Sequence, residues 1–232
     1  MAPEESRILD RCLLFRVLDE RSRSELLARA RRSSFAAGLP IFHLGDPGQS
    51  MMAVLTGTVR VSLPTLKGRT IVLADLPAGE VFGEVALLDG KERSADATAL
   101  TNCELLVLER RDVLPFLERH PAVCLKLMEL LCARLRLSDD RMVDITFFEL
   151  PVRLAKTLLR RAKAPARALE GIGHPRVSDS QSELANMIGN TRENVNRCLR
   201  DWQRRGILDL QDGWIVILHR EALEILADPA AS

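Results

Sequence analysis

The segment Glu80–Ala97, EVFGEVALLDGKERSADA, combines side chains that suit a small anionic ligand carrying a sugar hydroxyl. Gly83 lets a ligand approach the backbone, and Glu84 adds a carboxylate that can accept a hydrogen bond from the hydroxyl. Further along, Arg93 and Ser94 supply a guanidinium and a hydroxyl. Because the guanidinium is always charged and presents its donors as a rigid fork, it suits a phosphodiester. The alternative interpretation is a β-hairpin with incidental surface charge.

The residues around this segment predict a β-roll. From Phe35 to Glu109, glycines recur between apolar, β-branched segments, and strands at such intervals are typical of a jelly roll or β-roll. A metal-dependent enzyme built on such a roll would need a cluster of histidines, and only His43 lies in this region. The sequence therefore favours a binding domain over an enzyme. The predicted strands include residues 51–55, 58–61, 70–73 and 105–108.

Helices flank the predicted roll on both sides. Helical spacing from Ser6 to Arg32 predicts short helices before it, and Asp112 can cap a helix over 113–118 after it. A long helix follows from His120-Pro121, with positions that alternate steps of four and three as in a coiled-coil seam. We expect a parallel homodimer along this helix, the alternative being that the stripe packs onto its own β-roll. The seam positions are Cys124, Met128, Leu131, Leu135, Ser138, Met142 and Ile145.

The C-terminal part predicts a winged helix-turn-helix. Pro151 ends or bends the long helix, a basic helix follows over 152–163, and 164–175 is a loop. Ser180 and Glu183 form a capping-box pattern at the start of the first helix of the motif.

The second helix of the motif is the predicted reading element. Gly189-Asn190 supplies the tight turn before it, and Thr191 caps it. Its buried positions leave polar side chains facing outward, and such side chains can hydrogen-bond to base edges. Asp212-Gly213 then predicts the hairpin of a wing. The outward residues are Arg192, Glu193, Asn196 and Arg197.

Composition indicates a soluble cytoplasmic protein. The 232 residues are 47% hydrophobic, and the polar N-terminus shows neither a secretory signal nor a membrane span. Five scattered cysteines, never in a CxxC pair, argue against a disulfide framework or a zinc site. The net charge of +1 hides a local excess, since residues 151–205 carry 12 Lys and Arg against 5 Asp and Glu. That net charge of +7 is typical of a nucleic-acid-binding module, although a solvated helical face would also be basic.

The Glu80–Ala97 segment resembles the phosphate-binding cassette of cyclic-nucleotide-binding domains, and nearly the whole chain resembles bacterial transcription regulators of the CRP/FNR family. The resemblance implies an α+β fold with an N-terminal cyclic-nucleotide-binding β-roll (jelly roll), a long dimerisation helix and a C-terminal winged helix-turn-helix. We expect a sensor domain over 1–110, a dimerisation region over 111–150 and a DNA-binding domain over 151–232. Because the family's iron–sulfur sensors need four thiolates, that branch is disfavoured here.

The resemblance also implies roles for single residues in the sensor. Gly83 and Glu84 would meet the ribose, and Arg93 and Ser94 the phosphate. Ser138 and Asp139 align with the pair that contacts the purine of cyclic AMP. The cyclic-AMP receptor has Thr and Ser there, so Asp139 is a departure, and a carboxylate could accept from adenine or from guanine. Cyclic AMP is the expected effector, with cyclic GMP as the alternative and no metal.

The expected partners are double-stranded DNA, a second copy of the chain and RNA polymerase. By resemblance, the DNA site is a near-palindrome with TGTGA-like half-sites, and its bases are read by Arg192, Glu193 and Arg197. Thr191 and Asn196 are further candidate DNA-binding residues. Lys156 and Arg160 on the preceding helix are candidates for contacts with the DNA backbone. Two alternatives stay open. The chain could answer another effector or none, or it could be a nucleotide-sensing module whose basic domain binds protein.

Overall fold

The computed structural model describes residues 12, 14–65, 70–162 and 174–228. These residues form two compact units, and the boundary between them falls between Arg136 and Leu137. In the first unit, the helices are α1 (Glu20–Ala28), α2 (Glu84–Asp89) and α3 (Arg110–Arg119), and α4 (Pro121–Phe147) crosses the boundary. The strands are β1 (Arg31–Phe35), β2 (Pro40–Phe42), β3 (Ser50–Thr56), β4 (Thr58–Pro64), β5 (Thr70–Pro77), β6 (Val81–Phe82), β7 (Asp96–Ala99) and β8 (Cys103–Glu109).

The strands of the first unit form the two antiparallel sheets of a β-roll, in the orders β1-β8-β3-β6 and β2-β7-β4-β5. Successive side chains of a strand point to opposite faces of its sheet. In β3, Met52 and Val54 face a core shared with the second sheet, whereas Met51 and Leu55 face a core shared with the helices. Strand β3 is therefore buried on both faces, which explains its nearly continuous apolar sequence.

Helix α4 uses two different faces. Val123 and Leu127 are buried with residues of α1 and α3 and so tie the helix to its own β-roll. Most of the predicted seam lies elsewhere: Cys124 is half-buried against the same core, Leu131 is half-buried, and the other seam residues are exposed. The seam is therefore available for a partner, while a second pair of positions holds the helix on the roll. The exposed apolar seam residues are Met128, Leu135, Met142 and Ile145.

In the described residues, the second unit combines four helices with a small sheet. Its helices are α5 (Leu150–Arg161), α6 (Gln181–Ile188), α7 (Arg192–Arg204) and α8 (Arg220–Ala227), and its strands are β9 (Arg176–Val177), β10 (Leu208–Gln211) and β11 (Trp214–Ile217). Their order in the sheet is β10-β11-β9. The core includes Leu154, Leu184, Leu199 and Trp202. Positive φ at both Asp212 and Gly213 gives the β10–β11 turn the handedness that a two-residue hairpin needs.

Several element boundaries differ from the prediction. Arg31 and Arg32 lie in β1 instead of a helix because their neighbours pair with β8. Helix α3 starts at Arg110, so Asp112 lies in its first turn and does not cap it. The break before Pro151 is present, with α5 starting at Leu150. The expected helices in 6–11 and the end of the predicted basic helix and most of its loop, 163–173, lie outside the described residues.

Candidate functional site

Gly83 joins β6 to α2 in a left-handed conformation, with φ of 76°. A Cβ atom built at this position would lie 2.7 Å from Nη1 of Arg93 and 3.2 Å from the carbonyl oxygen of Ser50. The position therefore requires glycine for two reasons: the backbone conformation and the approach of the arginine. This turn brings the guanidinium of Arg93 next to Gly83, and Glu84 follows Gly83 directly in the chain.

The guanidinium of Arg93 is held inside the protein. The side chain is only 5% exposed, and its carbon Cζ lies 4.2 Å above the ring centroid of Phe42. Nη1 donates to the carbonyl oxygens of Ser50 at 2.6 Å and Gly83 at 3.1 Å, and Nη2 donates to Oγ of Ser50 at 2.9 Å. Among the described residues, Nε has no hydrogen-bond partner although it is buried.

All the acceptors that contact Arg93 are neutral. Burial lowers the pKa of Arg93, and the negative charges of Asp46, Glu109 and Glu84 act in the opposite direction. Since the ordinary pKa of arginine lies far above neutrality, the group keeps its charge. The site thus presents a buried positive charge with an unused donor, which an anion would complement.

Glu84 is 1% exposed and pairs with the long helix. Nη1 of Arg134 in α4 donates to Oε1 of Glu84, and Nη2 donates to the carbonyl oxygen of Val81. The second carboxylate oxygen, Oε2, is buried and has no hydrogen-bond partner within the part of the chain that the structure describes. One oxygen of Glu84 therefore holds α4, and no group in the described residues uses the other.

Of the predicted ligand residues, the structure brings Gly83, Glu84 and Arg93 together. Ser94 follows Arg93 and is exposed. Ser138 and Asp139 are exposed on the part of α4 that belongs to the second unit. Their role as base contacts stays a prediction.

Three residues that contact this site were missed in the sequence. Ser50 and Phe42 hold Arg93, and Arg134 holds Glu84. The only available signal was for Arg134, a cation within the apolar run of α4, and cations also occur on the solvent face of any amphipathic helix. Ser50 carried no signal, because it reaches Arg93 only through the pairing of distant strands.

The second unit forms the predicted helix-turn-helix. Ser180 and Glu183 make a complete capping box at α6, and Gly189 ends that helix with φ of 66°. Oγ1 of Thr191 accepts a hydrogen bond from the backbone N–H of Asn194 and so caps α7. These local contacts fix the angle between α6 and α7 and therefore the direction in which α7 presents its side chains.

The outward face of α7 matches the prediction except at one residue. Arg192, Glu193 and Arg197 are exposed. Asn196 is half-buried and so does not face fully outward. Its Oδ1 is buried and has no hydrogen-bond partner in the described ranges. The reason is that position 196 borders the buried stripe of α7, next to Val195 and Leu199.

A cavity of about 370 Å³ adjoins this face, between the start of α6, α7 and the wing. Its walls include Gln181, Ser182, Arg192, Arg200 and Trp214. Asp179 lines the cavity as well, so its walls carry two guanidinium groups and one carboxylate.

The two candidates for DNA-backbone contacts differ in their surroundings. Nζ of Lys156 donates to Oδ1 of Asp144 at 2.6 Å and lies 4.1 Å above the ring centroid of Phe148. Arg160 is exposed. Its Nη2 donates to Oγ1 of Thr157 at 3.4 Å. Contacts of Lys156 and Arg160 with the DNA backbone stay a prediction.

Comparisons with known proteins match both units. The Cyclic nucleotide-binding domain family matches residues 32–120, and the Crp-like helix-turn-helix domain family matches residues 152–226. The Cyclic AMP receptor protein of Thermus thermophilus is 37% identical over 201 residues, covering 87% of this chain and 90% of that protein. The CRP-like cAMP-activated global transcriptional regulator of Mycobacterium tuberculosis is 26% identical over 216 residues, covering 93% and 96%.

Solved structures give the same result for the fold. The Thermus thermophilus catabolite activator protein has a TM-score of 0.54 at 35% identity, covering 95% of this chain and 100% of that one. The c-di-GMP responsive regulator CLP of Xanthomonas campestris has a TM-score of 0.77, covering 86% and 99%. At 23% identity, this second likeness shows a shared fold alone.

A cyclic-nucleotide-binding β-roll followed by a helix-turn-helix defines a DNA-binding transcription regulator. The chain belongs to the CRP/FNR family, whose members are transcription regulators and not enzymes. The expected fold class and the family resemblance are therefore confirmed.

Among the described residues, no group of three or more His, Cys, Asp or Glu side chains is placed to hold a metal ion. No helix in the described ranges has both the length and the apolar character needed to cross a membrane.

Arg134→Met tests the contact between Glu84 and α4. Without its partner, the buried carboxylate of Glu84 loses its charge compensation, so we expect the nucleotide-free protein to lose about 1–3 kcal/mol of stability. Glu84→Gln added to Arg134→Met should recover part of that loss, because it removes the unpaired charge. Denaturant unfolding of the unmutated protein, the two single variants and the double variant gives the coupling free energy between Arg134 and Glu84. Additive effects of the two substitutions would contradict a direct interaction.

Proposed function

We propose that this protein is a homodimeric transcription regulator whose DNA binding is controlled by cyclic AMP. The observation that carries the proposal is a pair of buried polar atoms beside Gly83 that have no hydrogen-bond partner among the described residues: Nε of Arg93 and Oε2 of Glu84. One is a charged donor and the other a charged acceptor, so together they suit a ligand that carries both a phosphate and a hydroxyl. A ribose closed by a cyclic phosphate has both groups.

The base of the proposed effector is inferred from the relatives and from two residues of α4. Cyclic AMP is favoured because relatives that match most of the chain are named as cyclic-AMP receptors or cAMP-activated regulators. Ser138 and Asp139 are the proposed base contacts, and the carboxylate of Asp139 could accept from the amine of adenine or from the N1–H and amine of guanine. Cyclic GMP is therefore the alternative effector.

The proposed coupling runs through Glu84. Its Oε1 binds Arg134 of α4, and its Oε2 would bind the nucleotide, so one side chain contacts both the ligand and the helix. A ligand that binds one arrangement of α4 more tightly shifts the population toward that arrangement. Since α4 also carries the proposed dimer seam, the shift would change how the two reading helices are presented to DNA.

The proposed output is recognition of a two-fold site. A dimer presents two α7 helices to successive major grooves, about 34 Å apart, which suits near-palindromic TGTGA-like half-sites. RNA polymerase is a proposed further partner, and the cytoplasm is the proposed compartment. The protein would carry out no chemical reaction.

The alternatives predict different results in one experiment. In a gel shift with a TGTGA-like palindrome, cyclic AMP should strengthen binding by this protein. A regulator with another effector or none would bind equally with and without nucleotide. A protein-interaction module would bind the nucleotide but not the DNA.

Arg93→Leu tests the nucleotide site. Because the substitution leaves the phosphate unpaired in a partly dry pocket, we expect it to cost several kcal/mol of binding free energy, on the order of a hundredfold or more in Kd. Arg93→Lys should restore only part, since an ammonium lacks the fork. Isothermal titration with cyclic AMP, cyclic GMP and cyclic di-GMP measures the affinities.

Arg111→Leu is the matched control, because the side chain of Arg111 is 86% exposed and should not affect nucleotide affinity. Unchanged cyclic-AMP affinity in Arg93→Leu would refute the proposed site.

In the same titrations, Asp139→Ala should change the preference between adenine and guanine nucleotides. An equal loss for both would show that Asp139 acts on the fold or the dimer.

Leu135→Glu tests the dimer. Leu135 is 63% exposed in the protomer, so the substitution should leave the protomer folded while placing two carboxylates face to face across an apolar seam. We expect a dimer to become a monomer at micromolar concentration in sedimentation velocity. Leu137→Glu, at an exposed position away from the seam, should remain dimeric. An unmutated protein that sediments as a monomer with cyclic AMP present would exclude the proposed dimer.

Arg197→Ala and Glu193→Ala test DNA reading by α7. The arginine substitution should cost about 1–3 kcal/mol and relax the demand for one G·C pair. The glutamate substitution should relax the demand at a cytosine. Selection from a randomised site library at fixed salt measures both effects. Arg204→Ala, at the exposed end of the same helix, should leave the selected sequence unchanged. Unchanged sequence preference in both test variants would mean that α7 is not the reading element.

A further inference from the structure

Ser50 lies outside the Glu80–Ala97 segment, yet it makes two of the three hydrogen bonds to the guanidinium of Arg93. It starts β3 and is 9% exposed. Its carbonyl oxygen accepts from Nη1 at 2.6 Å, and its hydroxyl oxygen accepts from Nη2 at 2.9 Å. One residue therefore holds both terminal nitrogens of the arginine.

The contacts with Ser50 and Gly83 use some of the N–H donors of Arg93 and leave others. A guanidinium has five N–H groups. Nη1 uses both of its N–H groups, on the carbonyl oxygens of Ser50 and Gly83, and Nη2 uses one on the hydroxyl of Ser50. Among the described contacts, the N–H of Nε and one N–H of Nη2 remain, and Nε and Nη2 share one edge of the planar group. Nε is buried and has no hydrogen-bond partner in the described part of the chain.

The same contacts fix the orientation of the guanidinium plane. The ring of Phe42 covers one face at 4.2 Å, and Gly83 and Ser50 occupy the edges other than the unused one. With the side chain 5% exposed and held by these contacts, the guanidinium has little freedom to rotate. The unused edge, Nε with Nη2, is the edge that binds two oxygens of a phosphate in a bidentate arrangement.

We propose that Ser50 is a positioning residue for the nucleotide phosphate. Its hydroxyl holds Nη2 so that the unused edge of Arg93 faces the ligand, and it thereby sets the affinity for the cyclic nucleotide. The inference rests on the proposed role of Arg93 as the phosphate ligand. It assigns that role a specific edge of the guanidinium and a residue on a distant strand.

The hydroxyl of Ser50 is the part that a substitution can remove. Any residue at this position supplies the backbone carbonyl, so Ser50→Ala keeps the contact with Nη1 and loses the contact with Nη2. The guanidinium is then held at one terminal nitrogen and can pivot. Threonine keeps the hydroxyl and, as a β-branched residue, suits the start of a strand.

The experiment is a titration of cyclic AMP into five full-length proteins: unmutated, Ser50→Ala, Ser50→Thr, Arg93→Lys and the double variant Ser50→Ala/Arg93→Lys. We expect Ser50→Ala to weaken binding on the order of tenfold. Ser50→Thr should bind nearly as tightly as the unmutated protein. In the Arg93→Lys background, Ser50→Ala should have no further effect, because no fork remains to be oriented.

The outcomes separate this inference from the proposed function. If Arg93→Leu leaves cyclic-AMP affinity unchanged, the proposed function fails. If Arg93→Leu abolishes binding while Ser50→Ala binds like the unmutated protein, only the role of Ser50 is overturned. A loss of equal size in the Arg93→Lys background would also overturn it, because Ser50 would then act through the fold and not through the arginine. Failure of Ser50→Thr to recover the affinity would contradict the role of the hydroxyl.

Discussion

The first unit depends on the burial of two opposite charges, on Glu84 and Arg93, on either side of one glycine. A buried charge costs several kcal/mol unless polar groups compensate it. Arg93 is compensated by neutral oxygens from β3 and from Gly83, and Glu84 is compensated by Arg134 of α4. The strands, the turn at Gly83 and the long helix are therefore tied together at one point, and that point has capacity left for a ligand.

This arrangement explains why the sequence spacing was informative at some positions and not at others. Gly83, Glu84 and Arg93 lie within one short segment, so their proximity follows from a turn and a helix of six residues. Ser50 and Arg134 lie 43 and 50 residues from their partners, and only the tertiary fold brings them there. Local chemistry was readable because it depends on neighbours in the chain. The sequence does not predict which group compensates a buried charge, because any polar atom that the fold brings near can do so.

The same distinction holds for the fold. Capping residues and turn glycines act through adjacent backbone, and Ser180, Gly189 and Thr191 each have the predicted contacts or conformation. The sequence predicts the start of α3 three residues too late, because Asp112 resembles a capping residue when only its own side chain is considered. Arg31 and Arg32 were assigned to a helix because β1 is partly exposed and lacks the apolar alternation that identifies a strand. Pairing with β8 decided that assignment.

The ion pairs of the second unit change the meaning of its basic composition. Lys156 is paired with Asp144, and Arg161 makes two hydrogen bonds to the nearly buried carboxylate of Asp179. Cations already paired with carboxylates of the same protein attract fewer counterions and release fewer when DNA binds. The ionic-strength dependence of association should therefore reflect fewer cations than the sequence contains. Arg192, Arg197 and Arg200, all on α7, are exposed. Such a distribution weakens attraction to arbitrary DNA more than attraction to the correct site, which favours a protein that must find a few sites among many.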